Sequence, residues 1–399
     1  MTRASLSSRE RLLAAFRREP HDHVPFSPYI SQGPWWQAPL FWRDQFERAE
    51  RMLELGLDPT IEIWLPDPQP HPDVAIKTWR DTSGPDSILT KEYYTPAGVL
   101  RQKVKETEDW TSWRHGPWIP TTFGIEKRSH YGVELFDDWN VSRRVEPWVK
   151  GPEDLEKLRC ILRPPDGYLL EEWRMDAQRA MEFAKKHNLL TIARRTIVGD
   201  AFQWFCDIPD FMCWMVESPE FVREFLGIFQ AWARQLTRLA LEVGVDMVQR
   251  RGWYELPTFW GVKYWREYLV PCIEEETNLV HEAGKLHSYL LPEGQGAYAE
   301  VLKKMRVDVL QGVDPRMLHG GDLKTLFDVL GKTKSFWGGV NAEVTLNSQD
   351  PAQIAQAVRE AIEALDKNNG FVLSAFIFPE VPQPGIHHMI AAWKEYCKQ

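Results

Sequence analysis

Between Asp246 and Pro315 short apolar runs alternate with helical patterns, and few folds accept that rhythm. DMVQRRG reads as a strand, WYELPTFWG as a loop, Val262 to Ala283 as a long helix and KLHSYLL as the next strand. A loop, a helix from Ala297 to Met305 and the strand VDVLQG follow. Strands and helices taken in turn specify βαβ units and a parallel sheet. Polar residues gather at or near the strand ends: Arg251, Glu255, His287, Gln311 and Asp314. In a closed parallel barrel that edge carries the chemistry.

The rhythm extends beyond this stretch. VPFSPYI, TIEIW, LLTIARR, DMVQRRG, KLHSYLL, VDVLQG, SFWGGVN and GFVLSAF make eight strands. Eight is the number that closes a (β/α)8 TIM barrel, and one such domain over residues 1–399 is predicted. Ser7 or Ser8 can cap a first helix that runs to Arg18. Gly56 is placed to stop the helix that begins near Arg43. Glu62 lies inside the second strand, and facing the interior it would need a partner.

Residues 74–150 break the pattern. Polar and apolar residues alternate there, with turn signals at Ser83-Gly84-Pro85 and Thr95-Pro96-Ala97-Gly98, which predicts an inserted β-meander. From Trp110 to Arg144 the sequence is irregular and Trp-rich, as in a lid or binding element.

Charge narrows the partners. With 48 basic and 57 acidic side chains the net charge is -9, which argues against nucleic acid or an anionic membrane. No run approaches the ~20 apolar residues of a membrane span. Five scattered cysteines without a CxxC pair, and no secretory signal, point to the cytoplasm. Nucleotide and serine-hydrolase readings find no GxGxxG, P-loop or GxSxG. Nineteen Trp, 19 Phe and 11 Tyr serve either extra packing or an aromatic-lined pocket.

Individual residues keep two readings each. His287 is a hydrogen-bonded core residue, or a ligand or acid/base group. Glu255, beside Trp253 and Tyr254, is a general acid or metal ligand, or it pairs with Arg251. Tyr289 packs, or donates to an ether or phenolate oxygen. Arg194 and Arg195 alternate, so one points inward, to bind a carboxylate or phenolate or to pair with Glu62 or Asp200. Asn341 and Glu343 follow a Gly-Gly pair that permits close backbone approach. His21, His23, His387 and His388 read as structural or surface residues.

Five stretches carry a resemblance by their order: SSRERLLAAFRREPHDHVPF, TPAGVLRQ, EPWVKGPEDLEKL, YWREYLVPCIEEETNLVHEAGKLHSY and WGGVNAEVTLNSQDPAQIAQAVREAI. Together they resemble the uroporphyrinogen decarboxylase-like superfamily, which holds decarboxylases and corrinoid-linked methyltransferases. Where its decarboxylases carry an Arg-rich loop, this chain has SQGPWWQ, without the cations a many-carboxylate porphyrin needs. Where its zinc methyltransferases show His-x-Cys, this chain has His287-Ser288-Tyr289, and SAFIF near the end lacks the second cysteine. The resemblance to relatives that demethylate aryl methyl ethers implies zinc on carboxylates and histidine, for which Glu255, Glu267 and His287 are available.

The resemblance thus implies a methyltransferase that moves a methyl group from a small donor, aromatic in the O-demethylase version, to a corrinoid protein. Glu255, His287 and Tyr289 are then the catalytic candidates, and Glu255 and His287 the metal candidates. Arg194, Arg195, Trp253 and Asn341 are the substrate-binding candidates. A decarboxylase of a small carboxylated substrate and a non-catalytic ligand-binding barrel are the alternatives.

Overall fold

A computed structural model of the chain describes residues 5–30, 42, 44–66, 68–106, 144–377 and 381–398. In chain order its strands are β1 (Tyr29–Ile30), β2 (Thr60–Trp64), β3 (Ala75–Asp81), β4 (Ser87–Thr95), β5 (Gly98–Glu106), β6 (Arg144–Glu146), β7 (Leu190–Ile197), β8 (Met247–Arg251), β9 (Leu286–Leu290), β10 (Val309–Val313), β11 (Ser335–Gly339), β12 (Phe371–Ser374) and β13 (Phe376–Ile377). Seven of them form one curled sheet in the order β12-β11-β10-β9-β8-β7-β2, every neighbouring pair parallel. These are seven of the eight expected strands.

The remaining one, VPFSPYI, is mostly irregular. Only Tyr29 and Ile30 pair as a strand, with β13, and Phe26 bridges to Leu373. Prolines at 25 and 28 remove backbone donors from this segment. Its other side reaches β2 through Asp58, whose N–H donates to the Phe26 carbonyl and whose carboxylate accepts from Phe26 N–H. Arg11 holds that carboxylate at 2.6 Å and Asp22 at 2.7 Å.

The first helix, Ser8–Phe16, begins with the expected cap: the Ser7 hydroxyl accepts from Glu10 N–H, and the Glu10 carboxylate accepts from Ser7 N–H. Leu12, Ala15 and Phe16 close the lower end of the sheet's concave face, packing with Leu190, Ile192, Met247, Val309, Trp337 and Val372. Side chains alternate along a strand. Arg194, Gln249, Arg251, Ser288 and Gln311 therefore share that concave face, nearer the C-terminal strand ends. The opposite parity, Ala193, Val248, Tyr289 and Leu310 among others, joins the larger apolar cluster under the helices.

The expected helix from Val262 to Ala283 is three pieces: Pro257–Tyr264, a π-turn over Trp265–Leu269, and Val270–Glu282. The predicted meander is a four-stranded antiparallel sheet in the order β3-β4-β5-β6. Most of the Trp-rich stretch expected as a lid, residues 107–143, lies outside the described residues.

β10 is irregular between Gln311 and Val313 where it pairs with β11. Gly338 meets it there with φ +155°, and a Cβ at that position would stand 2.3 Å from the Val313 carbonyl oxygen. Backbone strain and overpacking then act together in Gly338→Ala, for which a loss of about 2–4 kcal/mol is expected. A lower urea midpoint with an unchanged slope is the signature.

Candidate active site at the C-terminal strand ends

The sequence-selected residues divide between the two faces of the sheet. Glu255, His287 and Tyr289 do come together, but on the convex side, and none has any exposed surface. Arg250, outward by parity, is their hub. Its guanidinium donates to Glu255 at 2.7 Å and stands 3.4 Å from Glu276. Tyr289 Oη donates to Glu255 Oε2 at 2.6 Å, and Gly199 N–H donates to Oε1 at 2.9 Å. Trp265, placed by the π-turn, donates its indole N–H to Tyr289 Oη at 3.2 Å.

His287 lies beside this cluster. The Thr277 hydroxyl gives its one proton to the Ile273 carbonyl, so His287 Nδ1, 2.8 Å away, must be the donor to it. Nε2 is then the bare nitrogen. Glu276, 3.7 Å away, would favour a charged ring, but it is already engaged by Arg250 and Thr237. Burial and the Arg250 charge push the imidazole down to about 3. Arg250 itself stays charged: burial opposes it, and Glu255 and Glu276 outweigh burial.

The donor set does not suit zinc. A guanidinium already holds the position a cation would take between Glu255 and Glu276. Glu267, the third residue considered, is on the surface with Arg223 at 2.6 Å. Among the described residues no three His, Cys, Asp or Glu side chains gather to hold a metal ion.

The concave face holds the other polar group. Arg194 Nη1 donates to Gln249 Oε1 at 2.8 Å, and its Nε stands 3.1 Å from Glu62 Oε1. The inward arginine thus pairs with Glu62, as one sequence reading had it. Glu62 is also 3.7 Å from Arg48 and accepts from Trp64 Nε1 at 3.1 Å. The guanidinium of Arg194 lies 5.3 Å from the centre of the Tyr29 ring. Burial raises the Tyr29 phenol's pKa, against the pull of Arg194, and Glu62, Arg251 and Arg48 are close enough to act on it as well. Arg251 stacks on Trp204 at 4.6 Å and reaches Asp200 at 3.5 Å. Asp200 accepts the Trp253 and Tyr254 N–H groups, and burial pushes it up to about 7.

Trp253 belongs to this side. Its ring is 5.1 Å from Phe376 and 6.3 Å from Tyr29, which is itself 5.1 Å from Phe376. Phe376 also borders a small cleft lined by Gln311, Asp314, Trp337 and Ser374 among others. Asn341 caps the turn beyond β11 and donates to Asp314 at 2.8 Å. It shapes the cleft through Asp314. The Arg195 side chain lies outside the described residues.

Arg48 and Gln249 were missed from the sequence, as was the place of Ser288 and Ser374 on this face. Arg48 sits on a helix, where no strand parity reveals it. Gln249 had a signal: it lies two residues before Arg251 on the same strand and so shares its face.

Comparison with known proteins agrees with this architecture. Residues 205–396, just under half of the chain, match the uroporphyrinogen decarboxylase (URO-D) family model, and two of the five stretches that carry the resemblance lie within them. A methyltransferase from Methanosarcina mazei shares the fold almost end to end, with TM-score 0.58 and 14% identity over 98% of this chain and 99% of that one. A B12-independent methionine synthase from Shewanella sp. W3-18-1 is more distant, with TM-score 0.39 and 13% identity over 57% and 65% of the two chains. No curated protein matches the sequence significantly. No helix among the described residues is long and apolar enough to cross a membrane.

Proposed function

We propose that this protein is a methyltransferase that moves a methyl group from a small, flat donor to a corrinoid carried by a separate protein. In this reading Pro25–Ile30 closes the curled sheet into a (β/α)8 barrel, and the reaction takes place at the concave C-terminal end. The carrying observation is the Arg194 guanidinium over the Tyr29 phenol at the concave strand ends, with the Tyr29 ring packed on Phe376. The URO-D family match and the fold shared with a methyltransferase support the class.

The corrinoid would supply the nucleophile that accepts the methyl group. This chain's residues hold the donor and stabilise its leaving group. As the methyl–heteroatom bond breaks, the electron pair stays on the heteroatom. Tyr29 is placed to give it a proton or a hydrogen bond, and the Arg194 charge offsets what remains. Glu62 fixes the direction of the guanidinium. Glu255, His287 and Tyr289 act from behind the sheet, by anchoring the loop that carries Trp253.

A decarboxylase of a small acid is the second reading, favoured by Arg48, Arg194 and Arg251 surrounding Tyr29. The test uses reduced cobalamin as acceptor and a panel of methyl ethers and methylated acids, with products read by mass spectrometry. Demethylated product that requires the acceptor is expected. Carbon dioxide release from an acid without the acceptor would overturn the methyltransferase reading in favour of the second. Arg194→Met is expected to lower kcat/KM by about 10- to 100-fold, the loss of one charged hydrogen bond.

A further inference from the structure

Asp200 stands at the start of the helix Ala201–Phe205, yet its side chain makes no cap there. An aspartate in that position ordinarily turns its carboxylate back onto its own helix. Here the buried carboxylate crosses to the loop after β8. One oxygen accepts Tyr254 N–H at 2.8 Å; the other accepts Trp253 N–H at 3.2 Å and stands 3.5 Å from Arg251 Nε. That loop reaches back in the same way. Glu255 accepts the N–H of Gly199, the residue before Asp200, at 2.9 Å. A Cβ on residue 199 would stand 2.6 Å from Glu255 Oε1, so glycine is what lets this carboxylate in. Each loop thus closes a carboxylate on the other's backbone.

Two residues of the concave end depend on this reciprocal tie. Arg251 is met by Asp200 and by Trp204, one turn further along the same helix, whose ring lies 4.6 Å away. Trp253 packs on Phe376 and Tyr29 while its own N–H is held by Asp200. Above the value of about 7 to which burial raises it, Asp200 is charged, and hydrogen bonds to a charged acceptor are the stronger kind.

We infer that Asp200 is a positioning residue: it latches the loops after β7 and β8 together and thereby sets Arg251 and Trp253 beside Tyr29. This rests on the methyltransferase reading for the reaction at that end. The latch itself is tested with no donor or acceptor present, so its failure is distinct from failure of methyl transfer. The full chain is labelled with fluorotryptophan and read by fluorine NMR at about pH 8, roughly one unit above the Asp200 value. Trp253→Phe, Trp337→Phe and Trp393→Phe assign three signals. Backbone hydrogen exchange, read by mass spectrometry, follows residues 252–256.

Asp200→Asn is nearly isosteric. Its amide keeps one acceptor but offers a donor where the second N–H or Arg251 needs an acceptor. Exchange in this segment is expected to quicken about tenfold or more, the worth of a hydrogen bond to a charged group, and the Trp253 signal to shift. Trp337 and Trp393, whose indole N–H groups are held by the Ser27 and Val24 carbonyls at 2.7 and 2.8 Å, should keep their signals, as a general loss of structure would not allow. Gly199→Ala presses on Glu255 and leaves Asp200 intact, and it should quicken exchange and move the Trp253 signal as well. An unmoved Trp253 signal or unchanged exchange in either folded variant, or a common shift of all three signals in Asp200→Asn, would overturn the inference.

Discussion

Glu255→Ala is expected to destabilise the protein by about 3–5 kcal/mol, the cost of leaving one member of a buried ion pair alone. The reason is local. Arg250 is fully buried, and Glu255 is its closest counter-charge at 2.7 Å. Glu276, at 3.4 Å, is held by Thr237 and offers only a longer contact. Tyr289 Oη and Gly199 N–H would lose their acceptor at the same time. Urea unfolding measures the loss. A double change, Arg250→Met with Glu255→Leu, should recover a large part of it, because removing both charges avoids the unpaired state. A Glu255→Ala variant within about 0.5 kcal/mol of wild type, the ordinary range for surface changes, would show that the network does not bear on folding.

The second large effect is on acid stability. The His287 imidazole falls from its ordinary 6.5 to about 3 on folding, because burial and Arg250 disfavour the charged ring. Between these values the unfolded chain binds the extra proton and the folded chain does not. Stability from this residue is therefore complete above pH 6.5 and is lost as pH falls toward 3. Asp200, raised to about 7, and Asp58, raised to about 6, work in the opposite direction, binding protons more readily when folded. Comparison with His287→Gln cancels those carboxylates. From pH 6.5 downward the wild type should lose up to about 1.4 kcal/mol per pH unit more than the variant. Parallel stability curves for the two proteins would contradict the buried neutral imidazole.

Much of this architecture was legible because it rests on periodicity. Seven parallel strands, the Ser7 cap and the antiparallel insertion all follow from apolar spacing and turn residues. VPFSPYI departed from expectation because its prolines cannot supply a full ladder. The division of the polar residues was harder to read. A loop residue such as Glu255 has no strand parity, and the side taken by its carboxylate was decided by Arg250. His287 and Tyr289 share one parity and Ser288 the other, but which parity faced inward depended on the helix Ser8–Phe16 filling the lower end with Leu12, Ala15 and Phe16. That contact joins residues more than 170 positions apart, and no local pattern announces it. Arg194 paired with Glu62 as one sequence reading allowed, because a buried strand carboxylate needs a cation and a parallel neighbour supplies one.

The central claim is that the chemistry belongs to the concave end, with the Glu255–His287–Tyr289 cluster supporting it from behind. Methyl transfer to reduced cobalamin, measured side by side for wild type, Arg194→Met and His287→Gln at pH 7.5 (about one unit above the ordinary histidine pKa), tests it most directly. The account predicts a loss of about 10- to 100-fold for Arg194→Met and a rate within about twofold of wild type for His287→Gln. A His287→Gln protein that is folded but inactive, beside an Arg194→Met protein that retains its rate, would contradict it and move the active site to the convex side of the sheet.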